Sequence, residues 1–120
     1  MDILVTNNPL VREHFQSKFR IEFLETDLLG TMTCIRDLIH KGHRLLTHPL
    51  SGSIKPNESP YKSVLISETA KETDFQSVGI IEDSIITAQK FPIKQIPEKL
   101  LYDMQIIDLS LIKTALEKHK

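Results

Sequence analysis

THPLSGSIKPNESPYKSVLIS, residues 47–67, is the stretch on which the reading of the fold turns. It carries three prolines, five serines and several ionisable side chains, more than a simple connector needs. The apolar runs on either side, RLLT (44–47) and SVLIS (63–67), read as buried strands. The VLI run fits burial on both faces, as is usual for strands of a parallel sheet. A long segment without secondary structure of its own is uncommon in a compact domain, and is usually functional or disordered. Between two parallel strands it would emerge on the face where α/β proteins bind ligands.

Working outward, Ile3 to Thr6 reads as a first strand. Asn8 before Pro9 is a cap followed by the favoured first helical residue, so a helix is expected from Pro9 to about Lys18, with Leu10, Val11 and Phe15 inward. Arg20 to Leu24 reads as strand two. Asp27 can cap a second helix in which Leu28, Met32, Ile35 and Ile39 recur at helical spacing. His40, Lys41 and Gly42 form a basic last turn and a glycine stop, suited to the helix dipole and a left-handed terminus.

His43 to Thr47 reads as strand three and Ser63 to Ser67 as strand four. A third helix runs from about Asp74 to Lys90, its apolar face broad enough to offer a homodimer contact. Residues 91–97 are a proline-containing connector, Met104 to Ile107 a fifth strand, and Asp108 or Ser110 a cap for a last helix from Leu111 to about Lys118. Strand and helix alternate throughout, without internal repeats. The expectation is one α/β domain over residues 1–120: a three-layer open sheet of about five mainly parallel strands. Flavodoxin-like order 2-1-3-4-5 is preferred, with Rossmann-like 3-2-1-4-5 as the alternative.

Composition narrows the function classes. The 120 residues are 40% hydrophobic and 26% charged, ordinary for a globular domain with a core of its own. Net charge is −1 and the fifteen basic residues are scattered, which argues against nucleic acid as a partner. No apolar run approaches the length of a membrane span, and MDILVTNNP lacks the features of a signal peptide, so a cytoplasmic location is expected. The single Cys34 sits in an amphipathic helical context and reads as a small core hydrophobe.

Candidate site residues follow from the flavodoxin-like order, which places the strand-order reversal between strands one and three. ILVT and RLLT would then run side by side, with Thr6, Asn7 and Asn8 facing Thr47 and His48 across a crevice. Asn7, Asn8, Thr47, His48, Ser51, Ser53, Lys55 and Lys62 are the expected ligand-binding residues, a set that suits a small anionic or polar metabolite. Each also has a plain structural reading as a turn, cap or loop residue.

Metal binding is not expected. His43 and His48 would lie roughly 16 Å apart at the two ends of one strand, and His40 suits the carboxyl end of helix two. Glycine-rich phosphate signatures and the nucleophile elbow are missing, and no cofactor is implied. Glu58, Glu68 and Asp108 are acidic residues able to reach the ligand face, with no legible pairing.

TNNPLV (6–11), LLTHPLSGSIKPNESPYKSVLIS (45–67) and QIIDLSLI (105–112) together resemble the GrdX family, over nearly the whole chain. The central segment is the specific one. Members are small proteins encoded beside the glycine, sarcosine and betaine reductase components of amino-acid-fermenting anaerobes. The resemblance implies an accessory role in that system, with reductase components as partners, and carries over no catalytic residue. Three readings stand: an accessory or small-ligand-binding protein, a small enzyme with His48 as acid or base and Lys55 or Lys62 stabilising charge, or a structural dimer meeting through the apolar face of the third helix.

Overall fold

The computed structural model describes residues 1–50, 58–92 and 94–119. Its elements are β1 (Ile3–Thr6), α1 (Pro9–Phe15), β2 (Arg20–Phe23), α2 (Leu28–His40), β3 (Ser63–Ile66), α3 (Phe75–Gln89) and α4 (Glu98–His119). Helix caps form where short polar side chains precede apolar periodicity. Asn8 accepts from Leu10 N with Pro9 behind it, Asp27 from Gly30 N and Asp74 from Ser77 N. At the end of α2 the amide of Gly42 donates to Ile39 O and that of His43 to Leu38 O, with Gly42 at φ 110°. This paired termination needs the left-handed conformation that glycine tolerates best. A Cβ on Gly42 would also run into the carbonyl of Lys71.

The chain is α/β, but the expected sheet of about five mainly parallel strands is replaced by three mixed strands in the order β2-β1-β3. Neither a flavodoxin-like nor a Rossmann-like order survives. β1 pairs parallel with β2 and antiparallel with β3, so that Thr6 lies opposite Ser63. Parallel pairing demands a crossover, and the segment 48–62 supplies no helix among its described residues. The chain instead doubles back after residues 44–47, and SVLI inserts between β1 and that segment.

Residues 43–47 do not form a full strand. A single bridge joins Leu45 to Ile66, and the amides of Leu46 and Thr47 donate to Leu65 O. Side chains take the other ladder positions: Leu65 N donates to Thr47 Oγ1 and Leu45 N to Ser77 Oγ. Hydroxyls compete here with backbone acceptors and cut the strand short. ILVT and RLLT are therefore separated by β3 rather than adjacent, which removes the direct crevice between them.

The expected fifth strand, Met104–Ile107, lies inside the 22-residue α4. The inward residues Leu101, Gln105, Asp108, Ile112 and Ala115 recur at three and four, the helical period. Asp108 therefore does not cap a helix but sits midway along one.

Helices cover both sheet faces. Ile3, Val5, Val64 and Ile66 pack against Met32, Ile35 and Ile39 of α2 and Ile81, Ile85 and Ala88 of α3. Leu4 and Leu65 turn the other way, toward Val11 and Phe15 of α1 and Ile112 of α4. This is the two-residue alternation of strands meeting the helical periods above and below. Burying each such side chain contributes about 1.5–3 kcal/mol.

Candidate functional site

On the α1/α4 face the alternation that presents Leu4 and Leu65 also presents Thr6 and Ser63, at the end of the sheet where β1 and β2 finish. Asp108 of α4 lies beneath them, 5% exposed. Ser63 Oγ donates to Asp108 Oδ2 at 2.8 Å, so the 2.6 Å contact between Thr6 and Ser63 has the Thr6 hydroxyl as donor. Asn8 N donates to Thr6 Oγ1 at 3.0 Å, while Asn8 Nδ2 donates to the same Asp108 oxygen at 3.0 Å. The hydrogen bonds close a ring through Asn8, Thr6, Ser63 and Asp108, all buried. Such chains polarise one another and fix a single arrangement.

The second hydrogen of Asn8 Nδ2 goes to Gln105 O, and its Oδ1 takes the Leu10 amide. Asn8 thus joins β1, the start of α1 and α4. Asn7 ties the other side of the same turn: its Nδ2 donates to Thr26 O and Pro60 O, and its Oδ1 accepts from Lys62 N at 2.8 Å. Both asparagines spend their amide hydrogens on protein carbonyls or Asp108.

Burial pushes the Asp108 carboxyl up from its ordinary value, opposed by the hydrogen bonds from Asn8 and Ser63 and by the charge of Lys62. Lys62 is partly buried, and burial pulls its ammonium down, opposed by Asp108. Desolvation outweighs mutual attraction for both groups.

The remaining expected residues are distributed elsewhere. Thr47 is buried, its hydroxyl accepting from Leu65 N. His48 is exposed; its Nδ1 accepts from Leu50 N, and it lines a groove of about 350 Å³ with Leu111, Lys118 and His119. Ser51, Ser53 and Lys55 lie outside the described residues. The structure thus gathers Asn7, Asn8 and Lys62 at one sheet end and places Thr47 and His48 beyond β3.

Other polar groups have local partners. His40 Nε2 contacts Glu82 Oε1 of α3 at 3.2 Å, and His43 Nδ1 donates to Ser67 O. Glu68 receives the N-terminal ammonium, and Glu58 receives Lys94 Nζ. Among the described residues no group of three or more His, Cys, Asp and Glu could hold a metal ion. Burial raises the Cys34 thiol, with Glu22 and Asp37 adding to the effect and Lys41 opposing it, so a reactive thiolate is disfavoured.

Above the ring, the ends of β1 and β2 open onto a shallow cleft of about 570 Å³ bounded by Arg12, Phe23, Glu25, Thr26 and Tyr61. It occupies the carboxyl side of the parallel pair, where open α/β sheets bind ligands. The sequence reading missed Arg12, Glu25 and Tyr61. The strand-order reversal expected between strands one and three drew attention to the turns that follow those strands rather than to α1 and the residues after β2.

A family model described as GrdX-like protein matches residues 3–117. The chain belongs to the GrdX family. The match takes in every element of the GrdX fold described above, from β1 to most of α4, and so includes both the ring and the cleft. No curated protein and no solved structure matches the chain. No helix among its described residues is long and apolar enough to cross a membrane.

Proposed function

We propose that this GrdX family member is an accessory protein of the glycine, sarcosine and betaine reductase system, acting in the cytoplasm. It binds a small polar or anionic metabolite, or a reductase component, and does not carry out the reduction. The observation that carries this reading is the pairing of a fixed, buried hydrogen-bond ring with an open cleft at the carboxyl ends of β1 and β2. A saturated scaffold beside a recess suits recognition, because the turn at Asn7 that borders the recess is already held by its hydrogen bonds and needs no ordering on binding.

The test is biosensor binding of the immobilised chain to each purified reductase component, with and without the substrate amino acids. A Kd of about 10 μM or tighter for one component or metabolite is expected. Absence of binding to all of them at about ten times that concentration would discard the reading.

A second reading, an enzyme using His48 as acid or base on a small anionic metabolite, has one observation in its favour. The His48 ring borders a groove that also holds the Lys118 ammonium and the His119 imidazole, a cation and a second ring beside it for an anion. Turnover of such a metabolite, followed by NMR and lost in His48→Ala with the fold intact, would favour it.

A further inference from the structure

We infer that the cleft at the ends of β1 and β2 binds a small zwitterion, with Arg12 receiving its carboxylate and Glu25 its ammonium group. The inference deepens the proposed metabolite-binding role by naming the residues and the ligand chemistry.

Arg12 extends from the second turn of α1 with its Cζ 4.1 Å from the centre of the Phe23 ring. The cation–π contact holds the guanidinium over the ring, and its N–H groups are of the kind that recognises a carboxylate through two parallel hydrogen bonds. No carboxylate or carbonyl takes these donors among the described residues. Glu25, in the loop after β2, borders the same cleft and likewise has no cationic partner among the described residues. Arg12 and Glu25 share one recess yet form no ion pair with each other, and ion pairs elsewhere in the chain close to between 2.7 and 3.5 Å.

The other acidic group at the rim, Asp27, is committed to the α2 cap through Gly30 N at 2.7 Å. Tyr61 adds a neutral donor. Its Oη accepts from Gln105 Nε2 at 2.9 Å, which leaves its own hydrogen for a ligand. One cation held over a ring, one uncommitted anion and one hydroxyl around a single recess match a molecule carrying both charges. A simple anion would meet the Glu25 carboxylate, and a simple cation would meet Arg12.

The experiment is a chemical-shift titration of the full chain with glycine, 4-aminobutyrate, acetate and methylammonium, the first two differing in charge separation. The expected result is saturable shifts at Arg12, Phe23, Glu25 and Tyr61 with at least one zwitterion. Acetate and methylammonium should bind at least about tenfold more weakly, the loss of one charge-assisted contact. Arg12→Gln and Glu25→Gln should each weaken the zwitterion by about tenfold or more. Both residues are exposed, and an unchanged melting temperature confirms that the variants fold.

No shifts with either zwitterion, acetate binding as tightly as the zwitterions, or full affinity in either variant would each overturn the inference. Binding of a reductase component in the biosensor assay reads the accessory role without any zwitterion, so the two claims fail separately.

Discussion

The two faces of the sheet solve the same burial problem with different chemistry. Against α2 and α3 the strands present Ile3, Val5, Val64 and Ile66, which pack into a wholly hydrophobic cluster with Met32, Ile35, Ile39, Ile81, Ile85 and Ala88. Against α1 and α4 the apolar cluster of Leu4, Leu65, Val11, Phe15 and Ile112 is smaller and gives way to Thr6, Asn8, Ser63 and Asp108 at one end. The first face gains its stability chiefly from buried apolar area. The second accepts the desolvation of a carboxyl in return for a fixed arrangement of the β1–α1 turn, which a smooth apolar contact would leave free to slide. It is this end of the sheet that borders the cleft.

The largest effect should come from breaking the apolar face. Ile35→Ala, at a fully buried position, should lower stability by about 3–4 kcal/mol in urea unfolding while leaving the hydrogen-bond ring intact. Asp108→Ala should cost about 2–3 kcal/mol, because Asn8 Nδ2 and Ser63 Oγ lose their shared acceptor. Unlike Ile35→Ala, it should also broaden the NMR signals of residues 6–12, reporting a loosened turn. If Asp108→Ala unfolds the chain no more readily than a surface change, the ring is not holding the fold.

A smaller and subtler effect concerns pH. The folded chain holds the Asp108 proton more tightly than the unfolded chain does, since burial raises that carboxyl. Its contribution is complete at low pH and is lost as pH rises from the ordinary carboxyl value through the raised one. Lys62, held below its ordinary value, contributes the opposite slope at alkaline pH: stability rises with pH between the lowered value and the ordinary one. Asp108→Asn should abolish the acid-side decline, measured by urea unfolding from about pH 3 to about pH 8. An unchanged profile would place the titration elsewhere. The smallest effect is expected outside both faces: His40→Ala removes an exposed contact with Glu82 and should change stability by about 0.5 kcal/mol or less.

The sequence made the α2/α3 face legible because its residues follow one period each. Ile3 to Thr6, Asp27 as cap, the Leu28 to Ile39 spacing, Gly42 as terminator and a third helix starting about Asp74 all appear where periodicity and capping chemistry place them. The α1/α4 face was harder to read because polar residues occupy buried positions in it. Asp108 interrupts the apolar seam of α4, so a short window sees QII as a strand and the acid as a cap, whereas the long window shows a continuous helix. Thr47 likewise completes RLLT as a strand by propensity, but its hydroxyl replaces a ladder acceptor and ends the pairing. Strand direction was not legible at all, since VLI is equally apolar in either orientation. The family resemblance on residues 6–11, 45–67 and 105–112 was sound, and those are the segments that meet at the ring, through Asn8, Ser63 and Asp108.

The hydroxyl substitutions along residues 44–47 also bear on how the molecule avoids sticking to itself. A small sheet with a free hydrophobic margin would template strands from neighbouring chains. Here the margin beside β3 is sealed within the monomer, with Thr47 and Ser77 occupying amides that a foreign strand would otherwise seek. The opposite margin is only the four residues of β2, which carry Arg20 and Glu22 exposed to water. Crowding such molecules together therefore offers little purchase for fibrous assembly.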